Sequence, residues 1–453
     1  MSEVSVNKWC REHGVKVSCS IEKSERGGTG LFYKYTTSDE ILRVPRHLLL
    51  TKRKLRESIF LEKDLEEFDN LREKNILVYI LRDILSRPNE ESAGTEPEIK
   101  NNKTESSEKK IEEKDSKMTK IDIIWKKYGK FLPQGSDIDL PLSWSDDDVE
   151  LLESTSIGLS LYSKKHALSR AYGDIKENPI PYRAEQLVAS RCLELPVYEK
   201  DAKEGDETIG SEIAMVPVID LVNHSQTPNA RYEVDPKTGD VVLLSTVPAE
   251  KRVGEVLISY SADAKGASEM LYNYGFIDPE MTSCKKMTCI VPLDMEEDHA
   301  NENVAQLEQQ KQYFFNSPYG TITFSDDGQG GAVSWESDFI WLWSLPASDI
   351  EFAFNEATSE VTLLIKGHKI EDPMKIEETL KVKEPEYFTS SIAPLAEKMA
   401  RERAADISEY LTAQQIELMA LSDNNSHRDR ISRLIKLENT TLLNFLVPGN
   451  RSH

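Results

Sequence analysis

Short apolar runs separated by turn residues open the chain, and long helical periodicities close it. In residues 4–50 the runs VKVSCSI and EILRVP read as strands, with the glycine-rich turn Glu25-Arg26-Gly27-Gly28-Thr29-Gly30 between them. Residues 71–85 place Ile76, Leu77, Ile80, Leu81 and Ile84 at helix spacing, which predicts one buried helical stripe. Residues 121–200 read as mostly helical, with Trp125, Tyr128, Phe131 and Leu132 forming one aromatic-apolar cluster. Ser145 followed by Asp146, Asp147 and Asp148 predicts a helix start, a hydroxyl cap with acids at the positive end of the dipole. Strands return over 213–260. AMVPVIDLV is a buried run, RYEV and DVVLLSTV form a hairpin across 236–240, and EVLISY is a further strand. Residues 268–276 read as a short helix or turn.

Beyond about Val291 the texture changes. Strand-like material at 321–324 and 361–365 precedes two helices. In 395–420 the residues Leu395, Met399, Ile407, Leu411 and Leu418 mark a face; in 428–446 Ile431, Leu434, Ile435, Leu442 and Phe445 do so. The expected organisation is therefore a first domain over 1–290 and a largely helical domain over 291–453. Residues 92–118 interrupt the first domain with 13 charges and no aromatic. Such a stretch buries too little apolar surface to offset its ordering entropy, so a disordered insertion is expected there.

A length of 453 residues favours two or three domains. Hydrophobic residues at 39% supply enough apolar material for a sizeable core. Acids outnumber bases 79 to 56, a formal charge of −23. That balance argues against direct binding of nucleic acid, whose phosphates select basic surfaces. It suits a basic protein partner, although charge of this sign also serves solubility alone. The five cysteines, Cys10, Cys19, Cys192, Cys284 and Cys289, are odd in number and fit neither a disulfide framework nor a paired zinc motif. No apolar run approaches 18 residues, and the first residues lack an apolar signal-like core. An intracellular protein without a membrane span is expected.

Three segments carry candidate chemistry. The Gly27–Gly30 turn permits close backbone approach to a ligand and positive φ, yet it also reads as a plain hairpin turn. Asp220, Asn223 and His224 close the buried run AMVPVI; they either cap backbone groups or form a polar site, and no second ligand stands at zinc spacing. Tyr272, Tyr274 and Phe276, preceded by Tyr260 and Glu269, read either as core or as an apolar channel that handles an amine. No GxSxG, kinase set or HExxH is present. From the residues alone, the chain is an enzyme or a binding protein with its site near 220–276.

In order and spacing, these segments resemble the SET-domain protein methyltransferases. The match is to the branch of the plant Rubisco large-subunit methyltransferase and the fungal ribosomal-protein and elongation-factor lysine methyltransferases. RGGTGLF resembles the first glycine motif of that family, and Ser190-Arg191 its Ser-Arg segment. VPVIDLVNHS resembles the Asn-His motif and GEVLISYSADAKGASEMLYNYGFIDP the tyrosine-bearing closing motif. WKKYGKFLP with LPLSWSDDDVELL resembles the inserted helical segment, placed at about 55–190, and DRISRLIKLENTTLLNFL the last helix of the substrate-binding lobe. The resemblance covers 4–281 well and 291–453 weakly.

The resemblance implies an α+β fold: a SET β-fold with a pseudoknotted site and an inserted helical segment, then a mostly helical, substrate-binding C-terminal domain. It implies S-adenosyl-L-methionine as cofactor and transfer of its methyl group to a protein lysine. Gly28, Gly30, Leu31 and Phe32 match backbone contacts to the cofactor, and Arg191 the arginine near its carboxylate. Asn223 and His224 match the pair that holds the adenosyl part, largely by main chain. Tyr274 matches the tyrosine nearest the methyl group and is the expected catalytic residue, touching cofactor as well. Asp220 and Tyr232 match positions on the lysine side. The closing motif departs from the family at Ala267, where Asn is usual, and at Ser261, where Gly is usual. The family branch further implies a basic target, a ribosomal protein or translation factor, in the nucleus or cytoplasm, and a monomer. Two alternatives stand beside this reading: a protein-histidine methyltransferase, and an interaction protein with a degraded site.

Overall fold

The computed structural model of the chain describes residues 3–34, 38–52, 72–87, 120–199, 208–260, 265–293, 302–327, 331–355, 360–421 and 425–447. The expected disordered insertion at 92–118 lies outside the described residues. Two compact units result, one of residues 1–139 with 167–262 and the other of residues 140–166 with 263–453.

The first unit contains helices α1 (Glu3–His13), α2 (Glu73–Ser86) and α3 (Lys120–Tyr128), and later α6 (Pro179–Arg191). Its strands are β1 (Lys16–Val17), β2 (Cys19–Lys23), β3 (Thr29–Tyr33), β4 (Glu40–Val44), β5 (Leu50–Thr51), β6 (Cys192–Val197), β7 (Gly210–Met215), β8 (Asn223–His224), β9 (Ala230–Val234), β10 (Val241–Ser245) and β11 (Glu255–Ile258). They form three small sheets, ordered β1-β4-β10-β9, β2-β3-β11-β8 and β5-β7-β6. The expected stripe of α2, Ile76, Leu77, Ile80, Leu81 and Ile84, is buried in full, and α2 packs on α6. Trp125 and Tyr128 are fully buried, and the Trp125 indole donates to the Leu48 carbonyl at 2.9 Å. Arg183 of α6 pins the following turn by donating to the carbonyls of Gly129 and Pro133, each at 2.9 Å.

The second sheet positions the candidate site. β11 pairs antiparallel with β3, Glu255 opposite Phe32, and parallel with β8, Leu257 opposite Asn223 and Ile258 opposite His224. A parallel pair needs a crossover connection rather than a tight turn. Here the crossover is the β9–β10 hairpin, which forms as expected on either side of Pro236–Asp240.

The second unit contains α4 (Asp146–Glu150), the start of α5 (Gly158–Tyr172), α7 (Ala267–Tyr274), α8 (Glu302–Phe315), α9 (Ile376–Lys383), α10 (Ala393–Ala420) and α11 (Ser426–Leu446). Ser145 caps α4 as expected, its hydroxyl accepting from the Asp148 amide at 3.2 Å. The helical C-terminal region also carries two three-stranded antiparallel sheets. These are β12 (Lys286–Pro292) with β13 (Tyr319–Ser325) and β14 (Ser334–Ser337), and β15 (Ile350–Asn355) with β16 (Glu360–Ile365) and β17 (His368–Ile370).

Two features differ from the sequence expectation. The units do not divide at 290: Trp144, Leu152, Ala267, Leu271, Cys284 and Met287 share one buried cluster with Ala400, Leu411, Leu434 and Phe445. And the buried stripe of α10 is Ala396, Ala400, Ala404, Ser408, Leu411 and Leu418, while Leu395 is 43% exposed. Small side chains let α10 lie close against α11; of the expected apolar face, Leu411 and Leu418 are buried, Met399 and Ile407 pack against the same cluster, and Leu395 alone turns outward. In α11 the expected face, Ile431, Leu434, Ile435, Leu442 and Phe445, is buried throughout. No helix among the described residues is long and apolar enough to cross a membrane.

Candidate active site

The glycine turn joins β2 to β3 as a hairpin, with Gly27 at φ 110° and Gly28 at φ 64°. Both angles lie where side chains other than glycine are strained. Gly30 is glycine for a second reason: a Cβ there would stand 2.2 Å from Glu255 Oε1. That carboxylate is the hub of the cluster. Glu255 accepts from Asn223 Nδ2 at 2.6 Å and from the Ser24 hydroxyl at 2.9 Å, and Arg26 Nε lies 3.9 Å away. Arg26 also donates to the His224 carbonyl at 3.3 Å. Three of the predicted motifs thus meet in one place, through a glutamate that sequence reasoning passed over. A Glu opening an ordinary strand gives no signal on its own; its importance comes from the register that puts it opposite Phe32.

The Asn223 side-chain amide is engaged by Glu255, and the main chain of Asn223-His224 pairs with β11. His224 is buried, and its Nδ1 accepts from the Tyr260 amide at 3.1 Å. The Tyr260 hydroxyl donates to the Val222 carbonyl at 2.9 Å. Leu31 is fully buried in β3 and Phe32 is half-buried beside it.

Asp220 sits in a second cluster just upstream. Val218 adopts φ 73°, a costly angle for a β-branched residue, so the surrounding contacts must enforce it. Its amide donates to the Tyr128 hydroxyl at 2.7 Å, and that hydroxyl donates to Asp220 Oδ1 at 2.5 Å. Arg191, at the end of α6, donates through Nη1 to the Asp220 carbonyl. Among the described residues Asp220 Oδ2 and Arg191 Nε are buried without a hydrogen-bond partner. Tyr128 belongs to the aromatic cluster expected from the sequence, and its hydroxyl also supports the turn leading to Asn223. Tyr232 lies in β9, in a different sheet, half-buried, with its hydroxyl 3.5 Å from the Glu194 carbonyl. Tyr274 belongs to the second unit. It is the last residue of α7, half-buried, with its ring centroid 6.3 Å from that of Phe276 and Lys265 Nζ 5.5 Å above it. Ala267 is the buried first residue of α7, its amide donating to the Cys284 carbonyl at 2.9 Å; Ser261 lies outside the described residues.

Burial pushes the Asp220 carboxyl from the ordinary 3.8 up to about 6, against the opposing pull of the Arg191 charge and the Tyr128 hydrogen bond. A raised carboxyl favours the folded state only while protonated. Its contribution is therefore complete below pH 3.8 and is lost as pH rises to about 6. Relative to Asp220→Asn, the native chain should lose ~3 kcal/mol of stability across that window and nothing further above it, at about 1.36 kcal/mol per pH unit. Paired urea titrations from pH 4 to pH 7 measure this. A stability difference that does not change with pH would refute the protonated, buried carboxyl.

The residues fit the cofactor that the motifs imply. A buried, unpartnered Arg191 Nε–H is a donor suited to a carboxylate. At Gly28 a Cβ would meet nothing within 4 Å, so the turn leaves open space at its tip. No cluster of side chains suited to a metal ion is present among the described residues.

Comparison with known proteins bears on the family and the fold. Residues 159–324 match the family model described as cytochrome c lysine N-methyltransferase 1. The chain is 28% identical over 237 residues to SET domain-containing protein 8 of Schizosaccharomyces pombe, covering 50% of this chain and 49% of that protein. It is 25% identical over 212 residues to N-lysine methyltransferase setd6 of Xenopus laevis, covering 42% and 46%. The chain thus spans about half the length of these curated relatives. Among solved structures, the SET domain of LSMT bound to lysine and AdoHcy superposes with a TM-score of 0.57 at 16% identity, covering 98% of this chain and 90% of that one. The chain carries the SET-domain fold of the Rubisco LSMT type, an α+β fold with a helical C-terminal region.

Proposed function

We propose that the chain is an S-adenosyl-L-methionine-dependent protein-lysine N-methyltransferase acting on a basic protein of the nucleus or cytoplasm, a ribosomal protein or translation factor. The observation that carries the reading is the convergence on Glu255 of the glycine turn, the Asn-His strand and the closing strand. The relatives' names, two of which specify lysine N-methylation, support the reaction class. The net charge of −23 supports a basic target.

In this reading Gly28, Gly30, Leu31 and Phe32 present backbone to the cofactor, and Arg191 takes its carboxylate. Asn223 and His224 hold its adenosyl part through main chain. When bound, the sulfonium cofactor supplies an already activated methyl group. The chain's own work is to align the acceptor and to keep it neutral. A lysine amine has an ordinary pKa of about 10.4, so it must lose a proton before attack, and an apolar, desolvated channel favours the neutral form. Tyr274 orients that amine, with Asp220 and Tyr232 on the acceptor side. Alignment of this kind supplies rate by orientation.

Incubation with radiolabelled S-adenosylmethionine and a methylation-starved lysate tests the reading. One or a few labelled bands whose hydrolysate contains methyl-lysine are expected. Methyl-histidine would reassign the acceptor, and no label with no cofactor binding would leave an interaction protein. Asn223→Ala should weaken S-adenosylmethionine binding in calorimetry and cost about 1–3 kcal/mol of stability, because it strands one oxygen of the Glu255 carboxylate. Unchanged cofactor affinity in a folded Asn223→Ala chain would refute the placement of the adenosyl part.

A further inference from the structure

We propose that α11 positions Tyr274 from outside its own motif, with Glu438 holding the first turn of α7 and Arg430 and Arg433 holding the segment just after it. The proposal rests on the assignment of Tyr274 under the proposed function.

At the first turn of α7 the Ser268 hydroxyl donates to Glu438 Oε1 at 2.7 Å. Glu438 is fully buried and is itself fixed by the turn before α5, taking the Ser156 hydroxyl at 2.5 Å and the Ser156 amide at 3.1 Å. A buried carboxylate with three donors has one position, and Ser268 inherits it. Burial also raises the Glu438 carboxyl above its usual range, against these hydrogen bonds. At the other end, Gly275 follows Tyr274 directly, in the left-handed conformation at φ 78°, and closes the helix by donating to the Leu271 carbonyl at 3.0 Å. The Gly275 carbonyl accepts from Arg430 Nη1 at 2.5 Å, and the Asp278 carbonyl accepts from Arg433 Nη2 at 2.7 Å.

Arg430 is held in its turn. Its guanidinium lies 5.1 Å from the Trp144 ring centroid, and Trp144 stacks on His427 at 4.4 Å and 11°. His427 Nδ1 is 3.0 Å from Asp148 Oδ2. Arg430 and Glu438 are eight positions apart along α11, and Ser268 and Gly275 are seven positions apart, so the two segments run antiparallel in matching register. An eight-residue helix such as α7 is marginal by itself and takes its position from tertiary contacts. Methyl transfer is sensitive to placement: a misplacement of about 1 Å can cost about 10²-fold in rate. The C-terminal region thereby acts on the chemistry through the tyrosine's helix.

The test uses the full-length chain, radiolabelled S-adenosylmethionine and the lysate protein that the native chain labels. Arg430→Met should lower turnover by about 10²-fold without changing S-adenosylmethionine affinity, and Arg430→Lys should recover part of the loss. In a Tyr274→Phe background Arg430→Met should remove little more, because residues that act as a unit are not additive. Additive losses would overturn the proposal. Hydrogen exchange over 267–278 supplies a readout independent of activity. Faster exchange in Arg430→Met is expected, and unchanged exchange would overturn the grip even if turnover fell. If Tyr274→Phe alone keeps native turnover, the tyrosine's assignment fails, while the exchange experiment still decides whether α11 holds α7. Should Arg430→Met fail to fold, Glu438→Gln, which keeps the shape and one acceptor oxygen, should show the same non-additivity and faster exchange; additive loss with native exchange would sink the proposal.

Discussion

Tyr274→Phe should lower methyl transfer by about 10²–10⁴-fold while cofactor affinity stays nearly unchanged, the usual contribution of a positioned orienting or proton-handling group. The substitution removes one oxygen and keeps the ring. The contact with Phe276, the cation of Lys265 over the ring face and the Gly275 cap all survive it. These ring contacts are kept, so the loss of turnover falls on what the hydroxyl does. Steady-state turnover on the labelled lysate protein, with calorimetric S-adenosylmethionine binding in parallel, makes the measurement. Turnover close to native would remove Tyr274 from the chemistry. An equal loss of cofactor affinity would move the tyrosine to the cofactor's side.

Ending the chain at residue 290 should unfold the segment that carries Tyr274, a larger effect than the loss of a docking module. Ala267, Leu271, Ile277, Cys284 and Met287 are buried in one cluster with Ala400, Leu411, Leu434, Leu442 and Phe445. The cut also splits β12, whose seven residues pair with β13. It removes Thr441, whose hydroxyl accepts from the Cys284 amide at 3.0 Å, and Glu438 under Ser268. A buried Leu, Ile or Phe contributes about 1.5–3 kcal/mol, against a total stability of about 5–15 kcal/mol for a domain. Losing several such partners exceeds that margin. The expected result is a truncated chain whose 263–290 segment exchanges its amides freely and whose near-ultraviolet dichroism is diminished. Native-like protection across α7 in the truncated chain would show that the first 290 residues fold by themselves. Without that control, an assay of the truncation on an intact target reports folding before it reports docking.

Local patterns were legible from the residues. The stripes of α2 and α11, the Ser145 cap and the β9–β10 hairpin each depend on neighbours within a few positions, where periodicity and turn chemistry act directly. The glycine turn and the Asn223-His224 pair were also visible, because Gly at positive φ and polar groups ending an apolar run are unusual enough to register. The face of α10 was visible in part: Leu411 and Leu418 are buried as expected, and Met399 and Ile407 pack against the same cluster. Counting large apolar residues points to Leu395, whereas packing against a neighbouring helix selected the alanines.

Periodicity and turn chemistry along the chain marked the stripes of α2 and α11, the β9–β10 hairpin and the motifs to be brought together, but neither α1 nor β6, which lies inside the stretch read as mostly helical. Tertiary packing makes Glu255 the residue joining those motifs, sets Tyr128 against Asp220 beside the strained Val218, and buries Ala267 and Leu271 of α7 in one cluster with α10 and α11. Each of these joins residues roughly 30 to 230 positions apart. Their burial and register follow from the packing of whole elements, and no local preference along the chain encodes that.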